Sequence, residues 1–188
     1  MATPLTVEQL HPKLEQLTVI DVRSPGEYAA GHIPGAHNIP LDRLDEALPA
    51  LRTAAERAEI AVVCASGNRS ATACEQLSAA GITALTLLGG TTAWVGNGHP
   101  VNRIPGARNV WAMDRQVRFV AGSLVVAGVL ADLALPGGRW LSAAVGAGLA
   151  FAAVTNTCAM GAMLGKLPYN RPRTGGPDLD TTLTALHR

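Results

Sequence analysis

A chain of 188 residues with 15 Lys+Arg against 14 Asp+Glu has a net charge of only +1, so no global field argues for a nucleic-acid partner. Its three cysteines, Cys64, Cys74 and Cys158, are far apart and in no Cys-x-x-Cys spacing, which argues against both a disulfide scaffold and a structural zinc site. No nucleotide, haem or metal motif is present, and no cofactor is expected. The length exceeds one ordinary domain of about 100–150 residues, and the excess is apolar and concentrated after Arg115.

Met1 to Leu10 carries neither a basic nor a continuous apolar region, so it reads as mature protein, and the first domain is expected to stay in the cytoplasm. Residues 1 to about 100 alternate short β-branched runs with helical stretches, the pattern of an α/β domain with a mostly parallel sheet. Thr18 to Val22 is the first clear strand, and Ile60 to Val63 is an apolar strand covered on both faces. The second strand runs into Cys64-Ala65-Ser66-Gly67-Asn68-Arg69-Ser70, after which Ala71, Cys74, Leu77 and Ala80 recur at helical spacing up to Gly81. A strand over Thr83 to Leu88 follows, then Gly89-Gly90 and a short helix holding Trp94.

A polar loop between a buried strand and a helix start curls its backbone amides around the sulfur of Cys64. Those donors, the helix N-terminus and the charge of Arg69 all favour a thiolate there. Gly67 permits the close turn, Asn68 tolerates unusual backbone angles, and Ser70 can cap the helix. Asp21, Arg23 and Glu27 read as an ion-pair cluster that supports the site, since partly buried charges need partners. His32, before Ile33-Pro34-Gly35, reads as a fold determinant, and Cys74 as an inert thiol on a core face.

From Gly96 to Arg108 the composition turns to Gly, Asn, Pro and Arg, which marks a boundary. The predicted organisation is an α/β domain over 1–103, a juxtamembrane linker over 104–116, a two-helix transmembrane hairpin over 117–167 and a polar tail over 168–188. A fragment covering 1–105 is expected to be soluble and active. Phe119 to Leu135 and Trp140 to Leu164 each approach a bilayer span of about 20 residues, joined by a turn at Pro136 to Arg139. Arg103, Arg108, Arg115 and Arg118 precede the hairpin, Lys166, Arg171 and Arg173 follow it, and Arg139 alone lies in the turn. By the positive-inside rule both termini and the first domain face the cytoplasm. Asp132 would sit near the outer surface, with Trp111 and Trp140 at the two interfaces. Small residues such as Gly122, Gly161 and Gly165 would allow a homodimer through the helices.

Three further segments resemble one family: Asp21-Val22-Arg23-Ser24-Pro25-Gly26-Glu27-Tyr28, Gly31-His32-Ile33-Pro34-Gly35-Ala36 and Gly89-Gly90-Thr91-Thr92-Ala93-Trp94. With the cysteine loop they resemble a single-domain rhodanese over about residues 5–100. The region from Asn156-Thr157-Cys158 to Tyr169-Asn170 is similar to the membrane module of bacterial inner-membrane rhodaneses. The resemblance implies a sulfurtransferase in which Cys64 attacks the outer sulfur of a donor such as thiosulfate and passes it from a persulfide to a thiol or cyanide. It further implies that Arg69 binds the anionic donor, and that the amides of Ala65, Ser66, Gly67, Asn68 and Ser70 hold the persulfide.

Cys158 is a candidate membrane-side sulfur acceptor, against the plainer role of a packed thiol. A cysteine-phosphatase reading is disfavoured because the loop has one residue fewer between Cys and Arg than phosphatase loops carry. The alternative from another class is a non-enzymatic adaptor or persulfide sensor that recruits a partner to the membrane.

Overall fold

The computed structural model describes residues 3–107, 110–134, 136–155, 159–165, 167–170 and 179–187. They fall into two compact units, one formed by Met1–Val110 together with Arg171–Arg188, the other by Trp111–Asn170.

In the first unit β1 (Thr3–Leu5), α1 (Val7–Leu10), β2 (Leu17–Asp21), α2 (Pro25–Ala30), β3 (His37–Asn38), α3 (Leu44–Ala55), β4 (Glu59–Val63), α4 (Asn68–Ala79), β5 (Ala84–Leu87) and α5 (Gly90–Gly96) follow one another. The strands form one sheet in the order β1-β5-β4-β2-β3, with every pairing parallel. Alternation along the strands puts Val19, Ala61, Val63 and Leu87 on one face, under Leu10, Tyr28, Ile33 and Trp94. Ile20, Ile60, Val62, Cys64 and Ala84 take the other face, under Leu44, Ala47, Leu51, Ala73 and Leu77. Both faces are covered, which is why β4 reads as an unbroken apolar run.

The predicted strands and helices around the cysteine loop are present with boundaries shifted by one or two residues. The two edge strands are three and two residues long, and α3 contains Pro49. Pairing partners define such short edges, and local pattern does not.

The C-terminal segment differs from the polar tail that composition suggests. After α6 (Met113–Ala134), α7 (Gly138–Thr155) and α8 (Ala159–Gly165) of the second unit, the chain forms α9 (Leu179–His187). Leu179, Leu183 and Leu186 share one face of α9 and join the core cluster containing Leu44, Ala47 and Leu51. Arg57 Nη2 donates to the Leu186 carbonyl. Three leucines among Asp and Thr give a low local hydropathy, but their spacing makes a helix face. The last part of the chain is therefore part of the first unit.

In the second unit α6 and α7 form an antiparallel hairpin. Asp132 Oδ1 accepts from the amides of Gly137 at 2.9 Å and Arg139 at 3.3 Å, closing the turn. A Cβ on Gly138 would collide with the Gly128 carbonyl oxygen, so these two glycines set the distance between the helices. Ser142 Oγ donates to the Val125 carbonyl at 2.9 Å. At the other end Gln116 and Asn170 exchange two amide hydrogen bonds of 2.8 and 2.9 Å, with Asn170 fully buried.

The apolar side chains of this unit point outward: Phe119, Val126, Leu130, Leu133, Phe151 and Val154 are all more than half exposed. Two helices cannot bury their own apolar faces, so this unit leaves a large apolar surface uncovered. Among the described residues one stretch, Met113–Leu133, is long and apolar enough to cross a membrane. The described residues of the second apolar run lie in α7 and α8. Of the glycines expected to pair copies, Gly122 faces open space, while a Cβ on Gly165 would come within 3.8 Å of Met113 Cε in the same unit.

Candidate active site

The site lies at the C-terminal ends of β4, β2 and β5, where a parallel sheet leaves its loops free for chemistry. Cys64 follows β4 directly and is 1 % exposed. Gly67, at φ 108°, turns the loop back so that its amide donates to Cys64 Sγ at 3.1 Å. Asn68, Arg69 and Ser70 open α4, whose first-turn amides carry the positive end of the helix.

The loop is braced from below by α5. Thr91 donates to the Cys64 carbonyl through its amide at 2.8 Å and its hydroxyl at 3.2 Å, and the Thr92 amide donates to the Ala65 carbonyl at 3.1 Å. Gly90 has φ 56°, and a Cβ there would collide with the Cys64 carbonyl oxygen. Glycine is required at that position both for backbone conformation and for space.

Within the expected ion-pair cluster the hydrogen bonds join Arg23 to Asp21 and Arg69 to Glu27, and Arg23 also feels the Glu27 charge. Arg23 holds Asp21 through Nε at 2.9 Å and Nη2 at 2.6 Å, and its Nη2 also donates to the Gly31 carbonyl at 2.7 Å. Glu27 instead faces Arg69, which donates through both Nη atoms at 2.8 Å. Burial works against the Arg69 charge, but the Glu27 hydrogen bonds and carboxylate outweigh it and hold the guanidinium above its usual range. Arg69 is thus turned onto a carboxylate of the same unit, and its charge is balanced there. The Glu27 side is prepared by a capping box: Glu27 accepts from the Ser24 amide at 3.2 Å, and Ser24 Oγ accepts from the Glu27 amide at 3.3 Å.

Around the loop, Ala65 is buried, while Ser66 and Asn68 are exposed at the mouth. Tyr28 donates its hydroxyl to the Ala36 carbonyl at 2.7 Å, and burial pushes that phenol up to about 12. The His32 ring stacks on Tyr28 with centroids 3.8 Å apart, and its Nδ1 bonds the Tyr28 carbonyl at 2.9 Å. Burial lowers the His32 imidazole below its usual range against that backbone bond, so the ring serves the fold. Cys74 is buried on α4 with Sγ 3.6 Å from the Leu85 carbonyl, and burial, with Cys64 and Glu75 adding, pushes its thiol up to about 11. Cys158, the candidate membrane-side acceptor, lies outside the described residues.

Two polar residues of the site were not singled out from sequence. Asn38 donates through Nδ2 to the carbonyls of Asp21 and Arg23, both at 2.9 Å, and so holds the end of β2. Thr86 Oγ1 lies 2.8 Å from Ser70 Oγ, which is itself 3.7 Å from Cys64 Sγ. The signal for Thr86 is a lone hydroxyl inside the apolar run Ala84-Leu85-Thr86-Leu87.

Residues 6–97 match the family described as a rhodanese-like domain, a family of sulfurtransferases and related domains. Residues 107–172 match the inner membrane protein YgaP-like transmembrane domain. The chain belongs to the rhodanese family, as a single rhodanese-like domain followed by an inner-membrane anchor. An uncharacterised protein of Synechocystis sp. is 41 % identical over 170 residues, covering 89 % of this chain and 92 % of that one. A sulfurtransferase of Allochromatium vinosum is 33 % identical over 109 residues, covering 54 % of this chain and 95 % of its own. Among solved structures, a rhodanese-related protein of Thermoplasma volcanium superposes with a TM-score of 0.50 at 36 % identity, over 53 % of this chain and 97 % of that one.

Proposed function

We propose that the protein is a membrane-tethered sulfurtransferase whose Cys64 carries sulfane sulfur as a persulfide. The observation that carries this reading is the Gly67 amide, aimed at Cys64 Sγ from 3.1 Å at the N-terminus of α4. A fixed donor on that sulfur stabilises the thiolate before reaction and the Cys64 thiolate leaving group of the second step.

With thiosulfate as donor, the Cys64 thiolate attacks the outer sulfur. A new S–S bond forms, the donor's S–S bond breaks, and sulfite leaves with the electron pair. A thiolate or cyanide acceptor then attacks the outer sulfur of the persulfide, returning Cys64 as thiolate. No general base is needed for either step, and ping-pong kinetics follow. Since Glu27 balances Arg69 and Asp21 balances Arg23, recognition of the anionic donor falls mainly on the loop amides from Ala65 to Ser70.

Both ends of the membrane module continue into the same unit, residues 1–110 on one side and 171–188 on the other. That division supports an even number of crossings. Two crossings with both termini in the cytoplasm satisfy this and the arginine distribution. A homodimer packed through the face bearing Gly122 belongs to the same proposal, and cross-linking in native membranes tests it.

The test is mass spectrometry of the Cys64 peptide after the full-length protein, in detergent micelles, is incubated with thiosulfate. A gain of one sulfur atom, released by cyanide, is expected. An unmodified Cys64 peptide with thiosulfate and with small-molecule persulfides would overturn the reading.

A further inference from the structure

Register places Thr86 beside the reactive sulfur. Val62 of β4 pairs with Thr86 of β5, and Cys64 stands two residues beyond Val62, on the same face of the sheet. Ser70, on the first turn of α4, covers that face and is fully buried.

The Ser70 hydroxyl has one hydrogen and three neighbours: the Gly67 carbonyl oxygen at 2.9 Å, Thr86 Oγ1 at 2.8 Å and Cys64 Sγ at 3.7 Å. The carbonyl can only accept. While Cys64 is a thiol, Ser70 donates to Gly67 and accepts from the S–H. Once Cys64 is a thiolate, the sulfur has no hydrogen and draws donors. The Ser70 hydrogen then rotates from the Gly67 carbonyl to the sulfur, and the Ser70 oxygen needs a donor of its own. Thr86 is positioned to be that donor in both states, so the exchange needs only one hydroxyl rotation.

We propose that Thr86 is a positioning residue that orients the Ser70 hydroxyl toward Cys64, selectively supporting the sulfur anion. This rests on Cys64 being the sulfur carrier. Removing the Thr86 hydroxyl leaves the thiol state satisfied, because Ser70 still donates to Gly67 and accepts from Cys64. In the thiolate state it leaves the buried Ser70 oxygen without that donor, and hydrogen-bond chains of this kind reinforce one another when they end on a charge. The effect is therefore confined to the charged form, which a purely structural role would not produce.

The experiment is the pH dependence of Cys64 alkylation by iodoacetamide in the full-length protein, in detergent micelles, read at the Cys64 peptide by mass spectrometry. For T86V the rate at pH 7 is expected to fall about threefold to tenfold, the range of one ordinary hydrogen bond, since Thr86 bonds Ser70 and reaches the sulfur only through it. The profile should move to higher pH and reach the wild-type rate at its upper limit. T86S should restore it, and in an S70A background T86V should have no further effect. T86A removes the same hydroxyl if T86V does not accumulate. Coincident profiles, or a loss equal at every pH, would overturn the relay. Those results leave the sulfurtransferase reading standing, whereas a Cys64 whose alkylation responds to T86V as expected but which never gains sulfur would remove that reading alone.

Discussion

Arg69 and Glu27 meet in a two-pronged ion pair, both contacts 2.8 Å long, between the first turn of α4 and the first turn of α2. Glu27 is only 3 % exposed, so the pair fixes the cysteine loop against the segment after β2. Arg69→Ala leaves a buried carboxylate without its guanidinium. We expect a loss of about 2–4 kcal/mol in unfolding free energy, with Arg69→Ala and Glu27→Gln together costing less than the sum of the two. Strictly additive effects in chemical denaturation would show that the pair does not hold the loop.

Cys64→Ser should abolish sulfur transfer while leaving the unit folded, since the alcohol is not ionised near neutral pH and the backbone contacts to Thr91 and Thr92 are unchanged. Turnover of thiosulfate retained by the serine variant would contradict the persulfide mechanism. Hydrogen exchange over β4 and α4 checks that folding is intact.

At Gly90 the loop has no room for a methyl group. Gly90→Ala should displace the Cys64 and Ala65 carbonyls, reduce alkylation of Cys64 at neutral pH, and destabilise the unit by about 1–3 kcal/mol. Wild-type alkylation rates in Gly90→Ala would mean that the brace from α5 does not shape the sulfur site.

The helix α9 predicts the behaviour of truncations. Leu186, 4 % exposed, covers the α3 side of the core, and Leu186→Ala should cost about 2–4 kcal/mol. A fragment ending before the membrane module should be correspondingly less stable than the same fragment with residues 171–188 joined on. The check is hydrogen exchange at α3, which should rise when α9 is absent. Equal protection with and without it would show that the contact does not persist in solution.

Acid should weaken the first unit. Burial lowers the His32 and His37 imidazoles below their usual range. Unfolded histidine takes up a proton near pH 6.5, whereas the folded rings resist it to lower pH. Between those limits the unfolded state binds more protons, so stability falls as pH drops through about 6.5. His37→Gln should flatten that slope between pH 7.5 and 5.5. A slope unchanged by the substitution would show that this ring is not the source.

The residues that identify the site were legible because their meaning is local. Apolar Ile60 to Val63 ending on Cys64, Gly67 at the turn and the helical spacing after Ser70 specify strand, loop and helix without reference to the rest of the chain. The apolar runs after Arg115 likewise point to a membrane anchor in the sequence, although among the described residues Met113–Leu133 alone is long and apolar enough to cross. Only the tertiary structure could assign partners. Glu27 lies 42 residues from Arg69, and nothing in either segment says that this carboxylate takes Arg69 while Asp21 takes Arg23. Thr86 meets Ser70 because β5 lies parallel to β4 in one register, and Leu179, Leu183 and Leu186 become core because α9 packs on α3. Hydrogen bonds and packing act over a few ångströms in space, so which distant residues share them is decided by the fold.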